Sequence, residues 1–371
     1  MKIIHIVLGK ANPERMNGVN KVAYQLATTQ TNLGHDVTLW GIASSPEKNY
    51  PPRNFKTRLF FQRKNKLTMD SKLKLAIGNL PQDIVVHLHG AFIPEFYHIA
   101  RLLDKKNIAY IYTPHGSLTE MAMTKNSIIK KLYFNCFESR IISKAKRVQL
   151  LGIHEFTYLD NLTTKADKCL IANGQDLEVI PDYPIKKIQD RHPVFGFCGR
   201  MAQFHKGLDL MFLGFKKYIQ NGGTGTLELI GDGADKEALT QLSTDLGIAD
   251  LIIFHGKKFG KEKYDLLHKM DVFLHTSRME GFPTAVLEAA ALKIPTITSE
   301  ATNMNNFIRK YQSGFLLTEN TPEEIAQRMA IASRFFQQRK LTKMGEKGRT
   351  MVVQEFDWRK IAARLVQVYA A

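Results

Sequence analysis

The sequence predicts an α/β protein built from two Rossmann-like, parallel-sheet domains. Apolar runs of strand length alternate with longer segments of helical periodicity along the 371 residues, and this alternation is typical of a parallel sheet covered by helices. The alternation occurs twice. Between its two series lies Glu178–His192, where Pro181 and Pro184 stand among mixed charges and indicate a linker.

The first series places an N-terminal domain at residues 1–182. It opens on an apolar run that is too short for a signal peptide and is typical of a buried first strand. The predicted strands are Ile3–Leu8, Val37–Ala43, Asp83–His89, Ala109–Thr113, Arg147–Gly152 and Lys168–Ala172. The predicted helices are Val19–Leu33, Pro94–Lys106 and Ser127–Ser143.

The second series places a C-terminal domain at residues 190–352. The predicted strands are Val194–Cys198, Thr226–Ile230, Leu251–Phe254, Asp271–His275, Thr296–Ser299 and Phe315–Leu317. The predicted helices are Leu208–Gln220, Ala234–Leu246, Lys261–His268, Thr284–Leu292, Asn305–Tyr311 and Pro322–Phe336. The stretch Leu341–Ala371 also has a helical pattern, and we expect its last part, 357–371, to pack back on the N-terminal domain. Ligands of open parallel sheets bind outside the carboxyl ends of the strands, so we expect the two domains to face a common cleft.

The formal net charge of +17 indicates an anionic partner. The excess lies in two segments of the first half, which contain Lys48, Arg53, Lys56, Arg58, Arg63, Lys64, Lys66, Lys72 and Lys74, and then Lys125, Lys130, Lys131, Arg140, Lys144, Lys146 and Arg147. Either segment alone is typical of a solvated surface, whereas two on one domain favour contact with an anionic membrane. Nucleic acid ranks last as a partner because the chain has no zinc-finger, helix-turn-helix or RNA-recognition signature.

Composition also indicates the compartment. No apolar run approaches the ~18 residues of a membrane span. Cys136, Cys169 and Cys198 are odd in number and widely spaced, which is typical of small buried residues in a reducing compartment. We expect a cytoplasmic protein that is peripheral on the inner face of the cytoplasmic membrane.

Two carboxylates flank a predicted helix start in the second half. Glu280 precedes the helix that begins near Thr284, and Glu288 follows one turn into it, inside an apolar run. The first backbone N–H groups of a helix have no partner and can bind an anion. Acids beside an anion site suit a ligand that carries both phosphate and hydroxyl groups, as a nucleotide sugar does.

Three further segments follow predicted strands. Gly199-Arg200 and Lys206-Gly207 bring two cations to a strand end, and an Arg fork with a Lys point charge suits a diphosphate. Gly231-Asp232-Gly233 is typical of a turn that needs positive φ. The segment 254–258, which includes His255, is a candidate backbone shelf for a nucleobase.

In this order and spacing, these motifs and the segment Ser277–Ala289 (Ser-x-x-Glu-Gly-Phe-Pro-x-x-x-x-Glu-Ala) resemble the C-terminal half of family 4 glycosyltransferases, which are retaining enzymes of the GT-B fold. Asn17-Gly18-Val19, Thr113–Gly116 and Asn173–Asp176 are similar to N-terminal elements of the family. The stretch His115–Ser143 resembles members that build bacterial surface polysaccharide or lipopolysaccharide. Asn17 replaces a glycine of the family, and Thr302-Asn303 stands where the family has a glycine pair that helps to hold the donor.

The resemblance implies a role for each matching residue. Arg200 and Lys206 would bind the diphosphate and stabilise the leaving group, and Glu280 and His115 would contact the transferred sugar. The implied donor-binding residues are Gly18, Asn173, Phe282, Pro283, Thr284, Ala285 and Glu288, with Glu288 on the ribose hydroxyls. Asn173 is also consistent with a purely structural role.

The resemblance implies a retaining glycosyltransferase that uses a UDP- or GDP-linked sugar and a lipid-linked or glycan acceptor. We predict no metal and no further cofactor, because no Asp-x-Asp pair follows a strand end and no His/Cys group has metal-ligand spacing. Two alternatives stay open: a related enzyme with a soluble acceptor, such as a sucrose-phosphate or glycogen-type synthase, and a non-catalytic nucleotide-sugar binding subunit.

Overall fold

The computed structural model describes residues 1–13, 18–65, 68–124, 126–162, 166–184 and 192–371. Asn17, Lys66, Lys125 and the predicted linker residues 185–191 lie outside the described residues. The strands are β1 Lys2–Leu8, β2 Asp36–Ala43, β3 Lys56–Phe61, β4 Ile84–His89, β5 Tyr110–Thr113, β6 Arg147–Leu150, β7 Lys168–Leu170, β8 Val194–Cys198, β9 Thr226–Ile230, β10 Ile252–Gly256, β11 Val272–His275, β12 Thr296–Ser299 and β13 Gly314–Leu317.

The helices are α1 Gly18–Asn32, α2 Ser71–Gly78, α3 Pro94–Lys105, α4 Glu120–Thr124, α5 Ser127–Tyr133, α6 Ser139–Lys144, α7 Ile153–Asn161, α8 Gln203–Lys206, α9 Leu208–Gln220, α10 Lys236–Asp245, α11 Gly260–Lys269, α12 Thr284–Ala291, α13 Asn305–Tyr311, α14 Pro322–Gln337, α15 Leu341–Glu355 and α16 Trp358–Ala370. None of these described helices is long and apolar enough to span a membrane.

The chain divides into two compact units. The first unit contains Met1–Gly174 and Trp358–Ala371, and the second contains Gln175–Asp357. The first unit has a parallel sheet of order β3-β2-β1-β4-β5-β6-β7, and the second has one of order β10-β9-β8-β11-β12-β13. Two parallel-sheet α/β domains confirm the predicted fold class.

Each sheet is covered by helices on both faces, because strands buried on both sides leave apolar residues pointing each way. In the first unit, Ile3 and Val7 of β1 pack with α1 and α16, and Ile4 and Ile6 of the same strand pack on the opposite face. In the second unit, Phe195 and the other apolar residues of β8 pack with α9 and α14. The sheets therefore hold their strand ends in fixed positions.

The sheet orders create a switch point in each unit. The strand order runs outward in opposite directions from the pair β1 and β4, and likewise from the pair β8 and β11. Ligands of open α/β sheets bind outside the carboxyl ends of the strands at such a point. The segments after Leu8, His89, Cys198 and His275 are therefore the places where the fold positions a site.

Several predicted elements differ from the structure. The basic segment 48–74 was assigned no structure but contains β3 and α2, which the dense charges hide from the apolar pattern. The predicted helix Ser127–Ser143 is α5, a π-helical turn at Phe134–Glu138, and α6. The C-terminal stretch is two helices, with a break between Glu355 and Trp358. Cys136 is exposed, contrary to the prediction that the cysteines are buried.

Candidate functional site

The second unit brings Lys206 and Glu280 together at its switch point, although 74 positions separate them in the sequence. The Nζ of Lys206 donates to Oε2 of Glu280, and each side chain is only about one sixth exposed, at 17% and 16%. Nε2 of His275, the last residue of β11, lies 3.1 Å from the same oxygen. The ion pair and the imidazole form one buried polar cluster.

The cluster controls the protonation of Glu280. Burial alone would raise the pKa of this carboxyl, but Lys206 and His275 outweigh burial and lower the pKa to about 2. Burial lowers the pKa of His275. Glu280 is therefore an anion beside a cationic Lys206 and a neutral imidazole at physiological pH.

The turn at Gly207 places Lys206 against the end of β11. Gly207 has φ +60°, and a Cβ there would lie 2.0 Å from the backbone oxygen of Thr276, so a larger residue cannot replace it without a shift of the backbone. The Thr276 hydroxyl donates to the carbonyl of Gly207 at 2.9 Å. The short helix α8 is thus tied to the strand that carries the loop of Glu280.

Arg278 fastens the loop of Glu280 from its other side. Its guanidinium makes two 2.7 Å hydrogen bonds to the carboxylate of Asp209, the bidentate geometry that Arg favours. Its Nη1 also donates to the carbonyl of Phe204 at 3.0 Å, and its backbone N–H donates to His205. These bonds hold the loop 277–280 against α8 and α9.

The loop leads into helix α12, whose first turn has no acidic residue and no side-chain cap. Among the described residues, no group accepts a hydrogen bond from the backbone N–H of Phe282, Thr284 or Ala285. The Phe282 ring packs inward on Phe356, and Pro283 is buried, so this turn presents backbone rather than side chains. Such a helix start can bind an anion.

Arg200 lies after β8, one strand away from Glu280 in the sheet. Its side chain is exposed and has no hydrogen-bond or ion-pair partner within the described part of the chain. The neighbouring turn is closely packed, because Gly231 has φ +139° and a Cβ there would lie 1.9 Å from the carbonyl oxygen of Gly199. Gly231 therefore serves the turn, as its sequence pattern indicates.

Glu288 lies in the second turn of α12 and is buried. It accepts a 2.8 Å hydrogen bond from Nζ of Lys263 in α11, and both side chains are largely shielded from solvent. Burial would lower the pKa of Lys263, but the carboxylate of Glu288 raises it overall. Glu288 is the acid half of a buried ion pair, and Lys263 was not predicted as part of the site.

Asn303 supports the loop of Glu280 at a position where the chain departs from the family pattern. It adopts φ +58° and donates from Nδ2 to the carbonyl of Gly281 at 3.0 Å. The Asn side chain therefore performs a contact that a glycine could not make. Asn17, the other departure, lies outside the described residues.

The first unit places His115 after β5, at the same sheet edge as the end of β4. His115 adopts φ +54°, and its Nε2 lies 3.1 Å from Nδ1 of His89. Burial lowers the pKa of His115 to about 3, so the imidazole is neutral. The buried carboxylate of Glu155 accepts the backbone N–H of Gly116 at 2.8 Å and that of Leu118 at 3.3 Å, which fixes this loop.

Gly18 and Asn173 occupy other parts of the first unit. Gly18 is the exposed first residue of α1, and a Cβ there would meet no atom within 4 Å. Asn173 is buried, and its Oδ1 has no hydrogen-bond partner in the described structure. Among the residues described, no hydrogen bond or ring contact joins Gly18, His115 and Asn173.

One group of side chains could hold a metal ion. Nitrogens of the buried His5, His87 and His89 lie within 4.8 Å of one another. Each of these imidazoles is already hydrogen-bonded through both ring nitrogens. The group is not visible as a metal pattern in the sequence because 82 positions separate His5 from His87.

Comparisons with known proteins agree with this geometry. Residues 16–178 match the family model Glycosyltransferase Family 4, and residues 182–351 match Glycosyl transferases group 1. A GDP-mannose-dependent alpha-mannosyltransferase of Mycobacterium tuberculosis is 30% identical over 156 residues, which are 39% of this chain and 38% of that protein. The lipopolysaccharide core biosynthesis glycosyltransferase LpsE of Rhizobium meliloti is 26% identical over 39% of this chain and 42% of its own length.

The matches to these two curated relatives thus span about two fifths of each protein. In contrast, the fold is similar over full length to that of HepE from Anabaena, solved in complex with UDP. The TM-score is 0.76 at 16% identity, with 100% of both chains covered.

Proposed function

The chain belongs to the GT-B glycosyltransferases that combine a family 4 domain with a group 1 domain, and on this premise we propose that it transfers a sugar from a nucleotide-diphosphate sugar to an acceptor. The transfer is retaining and needs no metal. The acceptor is a lipid-linked or polysaccharide chain of a bacterial cell surface, and the protein works as a peripheral protein on the inner face of the cytoplasmic membrane.

The observation that carries the proposal is the ion pair of Lys206 and Glu280 next to the uncapped start of α12. An ammonium has three N–H donors, so Lys206 keeps two for phosphate oxygens while Glu280 holds the third. The N–H groups of Thr284 and Ala285 add donors without any charge. This combination suits a diphosphate that is bound beside a hydroxyl-rich group.

Arg200 and Lys206 also supply the chemistry that a metal supplies elsewhere. Negative charge develops on the departing diphosphate, and preorganised cations stabilise it most in the transition state. With front-face attack, the departing phosphate takes the proton of the acceptor hydroxyl, so no protein base and no carboxylate nucleophile are needed. The proposal that the configuration is retained rests on family membership and this assignment of roles.

The acceptor and the membrane are supported by the relatives and by α5. Two of the similar proteins are named for lipopolysaccharide core synthesis and lipopolysaccharide galactosyl transfer. In α5, the side chains of Ile128, Ile129 and Leu132 are 82%, 71% and 65% exposed beside Lys130 and Lys131. An exposed apolar face with adjacent lysines suits the interface of an anionic bilayer.

The test is a thermal-shift panel with UDP-, GDP- and ADP-linked sugars, followed by analysis of any transfer product. A donor at ~100 times its Kd stabilises the folded protein by about 2.7 kcal/mol, so one nucleotide series should raise Tm. Lys206→Ala should remove most of that shift and lower kcat by about 10²–10³ where transfer is measured.

Each alternative has its own outcome. Donor binding without any transfer to membrane extracts or soluble sugars would favour a non-catalytic binding subunit. Transfer to a soluble sugar phosphate alone would favour the soluble-acceptor enzyme. A product whose anomeric configuration is inverted relative to the donor would overturn the retaining mechanism.

A further inference from the structure

A continuous chain of hydrogen bonds runs through the interior of the first unit and ends at His115. It starts at the backbone carbonyl of Ile171 and passes through side chains from β5, β6, α16, β4, α1 and β1. The members are Ile171, Gln149, Thr113, His87, Tyr369, Gln30, His5, His89 and His115. All except His115 are buried.

The direction of every bond follows from the carbonyl at its start. A carbonyl can only accept, so Gln149 donates from Nε2 to Ile171 at 2.9 Å and turns its Oε1 to Thr113. The single proton of the Thr113 hydroxyl goes to that oxygen. Nε2 of His87, at 2.7 Å from the hydroxyl, must therefore carry a proton and donate it.

The same argument continues to His115. Nδ1 of His87 has no proton, so the Tyr369 hydroxyl donates to it at 2.7 Å and accepts from Nε2 of Gln30 at 3.3 Å. Oε1 of Gln30 then accepts from Nε2 of His5 at 2.7 Å. Two further bonds, His89 to His5 at 2.9 Å and His115 to His89 at 3.1 Å, complete the chain.

We propose that this chain fixes His115 in the tautomer with its proton on Nε2, so that Nδ1 of His115 can only accept a hydrogen bond from a ligand. The residues His89, His5, Gln30 and Tyr369 are positioning residues for His115. The assignment of a ligand rests on the proposed function, and the chemistry it selects is a hydroxyl of the sugar or acceptor that donates its proton to Nδ1.

Two independent features agree with this inference. The backbone of His115 is held at φ +54° by a loop whose N–H groups at Gly116 and Leu118 bind Glu155, so the ring cannot turn away easily. Burial lowers the pKa of His5 to about 4 and that of His89 well below its ordinary range. Neutral imidazoles have one donor and one acceptor each, as a directional chain requires.

The test uses the full-length protein without ligand, labelled with 15N in its histidines. Long-range proton–nitrogen correlation spectra report which ring nitrogen carries the proton, and His115→Gln identifies the signals of His115. We expect His5, His87, His89 and His115 each to show the limiting spectrum of the Nε2–H form. A limiting Nδ1–H spectrum of His115, or the averaged spectrum of a tautomer mixture, overturns the proposal.

Two substitutions of His89 separate positioning from folding. His89→Gln keeps one acceptor and one donor, whereas His89→Leu removes both from the same buried site. We expect His89→Leu to give an averaged His115 spectrum and at least a tenfold lower kcat/KM, and His89→Gln to stay within a few-fold of the wild type. Equal loss in both variants, at equal Tm, would show a structural role alone and overturn the proposal.

Tyr369→Phe probes the remote part of the chain, because its ring makes no recorded contact with His115. We expect it to broaden the tautomer distribution of His115 while the sheet stays folded. Loss of the ring N–H signals on adding Zn²⁺ would identify a metal site and overturn the proposal. If no nucleotide sugar binds, the proposed function fails with the ligand assignment, whereas the tautomer is still decided by the ligand-free spectra.

Discussion

Lys206 and Glu280 balance each other's charge in a place where an isolated charge would be costly. Removing one partner of a largely buried ion pair leaves the other charge uncompensated, which usually costs more than the pair contributes. Lys263 and Glu288 form a second such pair, on α11 and α12. The site therefore holds its cations ready for an anion without exposing them alone to a low-dielectric interior.

The depressed pKa of Glu280 predicts a specific acid sensitivity. Its folded-state pKa of about 2 lies below the ordinary 4.5, so its contribution is complete above pH 4.5 and is lost as the pH falls toward 2. A shift of this size corresponds to about 3 kcal/mol. We expect Glu280→Gln to be less stable than the wild type at pH 7 in urea unfolding, and the difference to shrink toward pH 2.

Glu237→Gln is the matched control for this measurement. Glu237 is exposed on α10 and has no ion-pair partner among the described residues. Its substitution should change stability by less than about 0.5 kcal/mol at every pH. A stability difference for Glu280→Gln that does not depend on pH would contradict the assignment of the charged pair.

The sequence predicts Glu280, Lys206 and Arg200 because each follows a strand in a segment rich in glycine. It does not predict His275, which ends a strand whose other residues are apolar, or Lys263, which sits in a helix with many charges. Both residues act through contacts between elements distant in the sequence. Such contacts depend on sheet order, which spacing along the chain does not contain.

At the scale of elements, the loop 277–280 depends on the fork between Arg278 and Asp209. Arg278→Lys keeps the charge but cannot form two parallel bonds to the carboxylate. We expect a loss of about 1 kcal/mol in stability and at least a tenfold decrease in kcat/KM, because Glu280 and the start of α12 lose their fixed position. Urea unfolding and steady-state kinetics provide the two measurements.

Lys217→Ala is the control for the loop, because the ion pair of Lys217 and Glu323 is exposed, at 45% and 61%. Exposed pairs contribute little, so this variant should stay within about 0.5 kcal/mol and keep full activity. If Arg278→Lys keeps full activity as well, the fork is not what positions the loop.

Helix α5 leads to a prediction about lipid binding. Replacing Ile128, Ile129 and Leu132 together by Ser removes the exposed apolar face but leaves the lysines. We expect binding to vesicles of anionic phosphatidylglycerol to weaken by about tenfold or more. Binding of the wild type should also fall between ~50 mM and ~500 mM salt, because the lysine contribution is screened.

The control variant Ile253→Ser removes an exposed apolar side chain from β10 in the second unit. It should bind vesicles as the wild type does. Equal binding of all variants to neutral and anionic vesicles at every salt concentration would remove the membrane from the proposal. Sedimentation of the protein with the vesicles measures each case.

Element types are predictable here where the apolar period is clean, as in β1, β4, β8 and α9. They are not predictable where charges break the period. Strand β3 lies at a sheet edge, so alternate residues face solvent and its sequence Lys-Thr-Arg-Leu-Phe-Phe shows no buried run. The π-helical turn before α6 depends on the buried Glu138, which bonds to Tyr112 and to the backbone of Phe92.

At the scale of the whole molecule, each unit places its polar side chains at the switch point of its own sheet. The second unit gathers cations and free N–H groups there, whereas the first gathers neutral imidazoles. Cations suit a diphosphate, and neutral acceptors suit hydroxyl groups. The two sheets have the same architecture but supply different chemistry.

This division of chemistry predicts that transfer is independent of divalent metal. Lys206 and Arg200 stabilise the charge of the leaving diphosphate, so we expect EDTA to change kcat by less than about twofold. Added Mg²⁺ or Mn²⁺ should not restore Lys206→Ala, because neither ion replaces the N–H donor held by Glu280.

The buried His5, His87 and His89 provide the decisive control, since they could hold an ion that EDTA removes slowly. Protein purified with a chelator and analysed by inductively coupled plasma mass spectrometry should contain less than about 0.1 metal ion per chain while it keeps full activity. Activity that tracks the metal content would assign the charge stabilisation to a metal and contradict the role of Lys206. Full activity in metal-free protein, lost in Lys206→Ala, would assign it to the lysine that the second sheet holds against Glu280.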